Sequence, residues 1–275
     1  MNTPETRPTI GFIGTGRMAV ALARGIIEAQ VCSAEQVVGS DVSPDILQHF
    51  SEFCGARTVS DNKQVLEQAT TVFLSVKPQN MGDVLKEIHH HVRPDHVLVS
   101  IAAGVPIRRF TEVLGNDCRI IRVMPNTPCL VGMSASAFCL GTGAKEEDGR
   151  WVEQLLTAVG IAVRVPESML DAVTGLSGSG PAYIYQIIEA MSDGGVDMGL
   201  PRDIATRLAA QTVMGAAKMV LETGLHPGAL KDAVTSPGGT TIAGLKVMES
   251  AGIRGTMMQA IEAAARRSQE LGKPS

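Results

Sequence analysis

Thr9-Ile10-Gly11-Phe12-Ile13-Gly14-Thr15-Gly16-Arg17-Met18-Ala19 decides how the first half of the chain is read. A short apolar run rich in β-branched and aromatic residues leads into Gly14-Thr15-Gly16-Arg17-Met18-Ala19, which fits the G-x-G-x-x-G/A fingerprint. In that pattern Gly14 makes the tight turn, Gly16 lets the backbone approach a pyrophosphate, and Ala19 lets the following helix pack close to the strand. The unpaired N–H groups at the start of that helix form a ready anion site. A glycine turn alone is a weak signal. This one gains weight because a strand precedes it, a helix follows it, and the same alternation continues for about 150 residues.

Strand-like runs at Thr9–Ile13, Val37–Gly39, Thr71–Val76, Val97–Ala102, Arg119–Val123, Ala137–Leu140 and Ile161–Val165 alternate with stretches of helical spacing. The latter are Gly16–Gln30, Pro44–Cys54, Met81–His89, Ile107–Leu114 and Glu146–Val159. The alternation predicts an α/β Rossmann domain, with a doubly wound, mostly parallel sheet, over residues 1–167. Open sheets of this kind bind ligands at the carboxyl edge of their strands. That edge receives the loops Val76-Lys77-Pro78-Gln79, Ala102-Ala103-Gly104 and Met124-Pro125-Asn126-Thr127-Pro128. Asp41, at the end of the second strand, is placed to accept the adenine ribose 2′-hydroxyl, which favours NAD and repels a 2′-phosphate. Nothing basic follows in Val42-Ser43-Pro44, although Lys63 or Arg57 could fold back toward a phosphate.

From residue 168 to 275 the pattern becomes helical: Pro181–Met191, Arg202–Glu222, Pro227–Val234, Thr241–Ser250 and Gly255–Leu271, with breaks expected at Gly194-Gly195, Gly199-Leu200-Pro201, His226-Pro227 and Gly252. Residues 205–220 are apolar around most of the helix, which predicts that a small all-α domain buries them against another subunit, the alternative being a tight monomeric bundle. Between two of these helices lies Ser236-Pro237-Gly238-Gly239-Thr240-Thr241. Pro237 is read as stopping one helix, the glycines as bending the chain, and Thr240 or Thr241 as capping the next. Converging amides after Gly238 and Gly239 would then make a carboxylate-sized anion site.

Composition excludes several classes. The 275 residues carry a formal net charge of −4 and only 3% aromatic side chains, so there is neither a basic field nor a stacking platform for nucleic acid. Met1 to Pro8 is polar with no signal core, and no apolar run approaches a membrane span, which predicts a soluble protein that needs no membrane. Five cysteines in no paired spacing argue against a disulfide framework and for the reducing cytoplasm. His89-His90-His91 points its rings to different helix faces without an acidic or thiol cluster, so no metal is expected. Gly175-Leu176-Ser177-Gly178-Ser179 lacks the last glycine of a nucleophile elbow.

The run Asp171-Ala172-Val173-Thr174-Gly175-Leu176-Ser177-Gly178-Ser179-Gly180-Pro181-Ala182-Tyr183, with Gly215-Ala216-Ala217-Lys218-Met219, His226-Pro227-Gly228 and Lys231-Asp232 through Thr241, closely resembles pyrroline-5-carboxylate reductase, and the likeness extends from about Ile10 to Leu271. The resemblance implies a helical domain that dimerises, higher assemblies in some members, and reduction of the cyclic imine 1-pyrroline-5-carboxylate to L-proline with NADPH or NADH. It assigns the cofactor to Ile13, Gly14, Thr15, Gly16, Arg17 and Met18, to Asn62, Ser75, Val76, Lys77 and Pro78, and to Ile101, Ala102 and Ala103. It assigns the substrate to Glu167, Thr240 and Thr241. Two positions depart from the family: Asp41 stands where Asn or Ser is frequent, and Val42 where a basic residue is frequent.

The chemistry needs little acid–base machinery. A protonated imine already accepts hydride well, so Thr241, hydrogen-bonded to the ring nitrogen, is the nearest thing to a catalytic residue. Two other readings stand beside this one. A β-hydroxyacid dehydrogenase would place its lysine in Gly-x-x-x-Lys-x-x-x-Asn, but here Gly215 precedes Lys218 by three residues and Glu222 follows four beyond. A non-catalytic dinucleotide-binding protein would have no need of Gly238-Gly239-Thr240-Thr241.

Overall fold

Short apolar runs of β-branched residues, too brief for helices, build the sheet. In the computed structural model, which describes residues 9–272, the strands are β1 (Ile10–Ile13), β2 (Val37–Ser40), β3 (Arg57–Val59), β4 (Thr71–Leu74), β5 (Val97–Ser100), β6 (Arg119–Met124), β7 (Ser134–Leu140) and β8 (Gly160–Arg164). The polar stretch 1–8 and residues 273–275 lie outside the described residues. All eight strands join in one sheet of order β3-β2-β1-β4-β5-β6-β7-β8. The first six are parallel. β7 runs antiparallel to β6 and parallel to β8.

The crossover helices are α1 (Arg17–Glu28), α2 (Pro44–Cys54), α3 (Asn62–Gln68), α4 (Met81–Ile88), α5 (Ile107–Leu114) and α6 (Glu146–Thr157). Because successive strand residues face opposite sides, the sheet feeds two cores. Phe12, Phe73 and Val99 pack with α1, α2 and α6, while Ile13, Leu74 and Leu98 pack with α3, α4 and α5. β3 and α3 have no counterpart in the sequence reading. β3 is three residues long and starts with an exposed arginine, so it leaves no apolar run. α3 is seven residues long, and its start depends on the Asp61 carboxylate accepting the Lys63 N–H at 2.8 Å.

A single turn at Glu167–Met169 and α7 (Leu170–Val173) lead to a π-helical turn at Thr174–Gly178. Five helices follow: α8 (Gly180–Asp197), α9 (Arg202–Thr223), α10 (Pro227–Ala233), α11 (Thr240–Ser250) and α12 (Ile253–Leu271). Three expectations are corrected here. Gly194-Gly195 does not break α8, which runs on to Asp197. A Cβ on Gly195 would sit 3.1 Å from the Ala205 Cβ, so this glycine serves the close approach of α8 and α9. Pro237 does not stop α10, which already ends at Ala233. Nor do Thr240 and Thr241 cap α11: Gly239 holds the N-cap position in an extended conformation, and the threonines form the first turn.

The chain divides into two compact units, Met1–Gly178 with Ala263–Ser275, and Ser179–Glu262. This division differs from one at 167/168 in assigning residues 168–178 and the end of α12 to the sheet-bearing unit. There Leu170 is fully buried and Ser268 Oγ donates to Asp171 Oδ1 at 2.6 Å. In the second unit α8 packs on α9, and Ser192, Ala205 and Ala209 are its only buried residues. No described helix is long and apolar enough to cross a membrane.

Candidate active site

The sheet reverses its winding at β1, which has β2 on one side and β4 on the other. At such a switch point the crossovers diverge and leave a crevice beyond the strand ends. The Gly14–Met18 turn stands there. Gly14 has φ +87°, donates its N–H to Ser40 O at 2.8 Å, and passes so close to β4 that a Cβ would lie 2.9 Å from Val76 Cγ1. Only glycine meets both demands. Gly16 is the N-cap of α1, whose first turn has neither a side-chain cap nor an acidic residue. The position a Gly16 Cβ would take has no heavy atom within 4 Å. Ala19 is buried against the sheet.

Asp41 does more than border this crevice. Its Oδ2 accepts the Thr15 N–H at 2.9 Å and its Oδ1 accepts the Ser43 N–H at 3.1 Å, so the carboxylate braces the glycine turn. Val42 beside it is fully exposed. Asn62 accepts from Ser40 Oγ at 2.6 Å and donates to Glu87 Oε2 at 2.9 Å. Lys63 turns along its own helix toward Glu67, 3.9 Å away, which leaves no basic group from α3 directed at Asp41. Ser75 donates its N–H to Ile13 O at 2.8 Å, and Ile101 donates to Leu74 O at 3.2 Å. Val76, Lys77 and Pro78 continue from β4 into an outward turn, and Ala102 and Ala103 continue from β5. The structure thus gathers Ile13 to Met18, Asp41, Asn62, Ser75 to Pro78 and Ile101 to Ala103 along the carboxyl edge of five neighbouring strands, β3-β2-β1-β4-β5.

Two hydroxyls on this edge, Thr15 Oγ1 and Ser75 Oγ, are buried without a hydrogen-bond partner. A buried hydroxyl left unpaired costs about 1–3 kcal/mol, and such groups mark places where something else completes the bonding. With the uncapped start of α1 and the open space at Gly16, they fit a dinucleotide.

Glu167 is in the same unit, and its Oε1 accepts the Ile107 N–H at 2.7 Å and the Arg122 guanidinium at 3.1 Å. Sequence reasoning passed over Arg122. Its signal is a charge in the middle of the strand Arg119-Ile120-Ile121-Arg122-Val123-Met124, flanked on both sides by apolar residues, and it is buried. Asn126 is buried as well: it donates to Ser177 O at 3.0 Å and accepts the Ala135 N–H at 3.0 Å, tying its loop to the π-helical turn.

In the second unit Gly238 takes φ +66°, which turns the chain into α11. The first turn of α11 again lacks a side-chain cap and an acidic residue, while Thr240 is exposed and Thr241 half-buried. The amides of this turn are therefore available to an anion. Lys218, the residue that a hydroxyacid dehydrogenase would need, is exposed and pairs with Glu222 at 3.5 Å on its own helix. No group of three or more His, Cys, Asp or Glu among the described residues is placed to hold a metal ion.

Residues 167–271 match the family model for pyrroline-5-carboxylate reductase dimerisation, and residues 9–104 match NADP oxidoreductase, coenzyme F420-dependent. A pyrroline-5-carboxylate reductase from Methanosarcina acetivorans is 47% identical over 96% of this chain and 98% of its own. The chain belongs to the pyrroline-5-carboxylate reductase family. A solved family member from Coxiella burnetii superposes with TM-score 0.91 at 36% identity, covering 98% of this chain and 100% of that one. The Plasmodium falciparum pyrroline carboxylate reductase, solved with NADP bound, superposes with TM-score 0.87 at 33% identity over 97% of this chain and 98% of its own. This chain is accordingly an NAD(P)H-dependent oxidoreductase, with the α/β nucleotide-binding domain and helical dimerisation domain of its family.

Proposed function

We propose that this reductase converts 1-pyrroline-5-carboxylate to L-proline, the last step of proline biosynthesis, in the cytoplasm and as a dimer or a multiple of dimers. Bound NADPH or NADH supplies the hydride, which adds to the imine carbon while the ring nitrogen keeps its proton. Ile13 to Met18, Asn62, Ser75 to Pro78 and Ile101 to Ala103 would hold the cofactor. The pyrophosphate would rest at the uncapped start of α1, and the Thr15 and Ser75 hydroxyls would find the partners the protein does not give them. The Gly239 N–H already donates to Ser236 O at 3.1 Å, so the amides after Gly239 would take the substrate carboxylate, with Thr240 and Thr241 in the same turn. The Thr241 hydroxyl would hydrogen-bond the ring nitrogen and hold the iminium form. All five cysteines are free and buried, and desolvation pushes the Cys54, Cys118 and Cys139 thiols up to about 11 and Cys129 up to about 12, which keeps them protonated and unreactive.

The observation that carries the reading is the first turn of α11, opened by Gly238 at φ +66° and left uncapped, in a chain that also has the glycine turn at the switch point. The test is steady-state turnover of 1-pyrroline-5-carboxylate with NADPH and with NADH. Thr241→Ala should lower kcat/KM by about 10–100-fold, corresponding to one hydrogen bond to a charged group at about 1.5–3 kcal/mol, with cofactor affinity unchanged. A cyclic imine without the carboxylate should be a poor substrate of the parent. Normal turnover by Thr241→Ala, or indifference to the carboxylate, would show that the Pro237–Thr241 turn only connects helices.

A further inference from the structure

The mechanism above makes no use of the most deeply buried charge beside the cofactor edge. Arg122, on β6, reaches Glu167 Oε1 at 3.1 Å with Nη1 and Asp171 Oδ1 at 3.8 Å with Nη2. Each carboxylate has a second duty. Glu167 Oε1 also accepts the N–H of Ile107, the first residue of α5, and Asp171 Oδ1 accepts the hydroxyl of Ser268 near the end of α12. The segment between Ile101 and Ile107 is held from the other side too. Gly104 has φ +74°, and a Cβ there would lie 3.2 Å from Leu271 Cβ and 3.4 Å from Ser268 O. One guanidinium thus joins the two points that fix this loop: the Glu167 contact at its end and the α12 turn pressed against its middle.

We propose that Arg122 is a positioning residue for hydride transfer. It holds Glu167 on the Ile107 amide and Asp171 on Ser268, and so fixes the loop Ile101–Pro106 on which the nicotinamide is aligned. Glu167, assigned to the substrate by the family resemblance, acts through the loop as well. The proposal rests on the reading above that Ile101 to Ala103 receive the nicotinamide end of the cofactor. The adenosine and pyrophosphate contacts lie on β1 and β2, away from the network, so loosening the loop should impair alignment and leave most of the binding intact.

The test compares parent enzyme with Arg122→Met, Glu167→Gln and Ser268→Ala. It measures NAD(P)H affinity by fluorescence, kcat, KM for pyrroline-5-carboxylate, and the primary isotope effect with cofactor deuterated at C4. Misplacement of a reacting atom by about 1 Å lowers rate by roughly a hundredfold. Arg122→Met should therefore lose about 10–100-fold in kcat, with cofactor affinity within about threefold and a larger isotope effect as hydride transfer becomes limiting. Glu167→Gln, which keeps an acceptor for Ile107, and Ser268→Ala, which leaves no buried charge unpaired, should shift kcat and the isotope effect the same way by smaller factors. If Arg122→Met does not fold, these two variants decide. A fall in melting temperature with unchanged kcat and isotope effect would overturn the proposal. So would a Glu167→Gln enzyme whose only change is a raised KM for the imine, since that marks a substrate contact. An inactive parent would refute the proposed function itself and not this inference alone.

Discussion

The two units of this chain treat their apolar side chains differently. The sheet-bearing unit buries Phe12, Phe50, Phe73, Phe110 and Phe138 completely, in cores on both faces of the sheet. The helical unit, Ser179–Glu262, buries only Ser192, Ala205 and Ala209, and leaves Leu208 at 55%, Met219 at 50% and Leu221 at 71% exposure along α9 alone. At about 25 cal/mol per Å2 of apolar surface, a core made of two alanines and a serine cannot offset the entropy of ordering five helices. One unit is complete within its own chain. The other has its hydrophobic face turned outward, as the family's dimerisation domain requires.

The largest expected effect breaks that contrast where the dependence is greatest. Introducing charge on α9 with Leu208→Glu and Met219→Glu should abolish assembly, because a partner would have to bury unpaired carboxylates. Sedimentation should show loss of the dimer or its multiples, with activity lost alongside. A folded, active monomer would mean that the exposed face of α9 is not what the second copy covers.

How much of this was legible in the sequence follows the same division. The alternation of strands and helices, the doubly wound sheet and the switch-point edge were readable because each strand is a β-branched run bounded by turns. Pro44–Cys54 and Ile107–Leu114 even end where the spacing puts them. β3 and α3 were not readable, since one is a three-residue edge strand and the other begins on a side-chain cap rather than an apolar period. In the helical half, Gly194-Gly195 looked like a break because a sequence does not reveal that a neighbouring helix needs the missing Cβ. At the site, glycines and hydroxyl residues announced themselves by motif. Arg122 did not, because its partners Glu167 and Asp171 lie 45 and 49 residues further along the chain.

A middle-sized effect sharpens the picture of the first unit. Asp41 holds the Thr15 amide at 2.9 Å, so its carboxylate is fixed at the edge where the adenosine ribose is expected. Asp41→Ser should raise the kcat/KM ratio of NADPH to NADH by about tenfold, roughly 1.4 kcal/mol, by removing repulsion of a 2′-phosphate. Asp41→Asn, which keeps an acceptor for Thr15 but no charge, should move the ratio the same way while better preserving activity with NADH. If neither substitution changes the ratio, the carboxylate braces the turn without reading the cofactor, and selectivity lies elsewhere.

The smallest effect concerns stability, and it should appear in the sheet-bearing unit alone. His96 is 1% exposed; its Nδ1 accepts the Arg93 N–H and its Nε2 faces Leu66 O, both at 2.9 Å. A backbone N–H can only donate and a carbonyl can only accept, so the ring is neutral with its proton on Nε2. Burial lowers its pKa from the usual histidine value; the nearby Arg93 charge lowers it further, while the Leu66 hydrogen bond and Asp95 oppose the shift. The unfolded chain therefore binds this proton more readily than the fold does. Stability from His96 is fully present above about pH 6.5 and is lost as pH falls toward the depressed folded value. The melting temperature should drop by a few degrees between pH 7.5 and 5.5 in the parent. It should drop less in His96→Gln, whose amide can accept from Arg93 and donate to Leu66 without titrating. The helical unit has only His226, which is exposed, so sedimentation should not change over the same range. An equal slope in parent and variant would show that another group governs acid stability; assembly that dissolves with the melting shift would show that the two units are not independent in this respect.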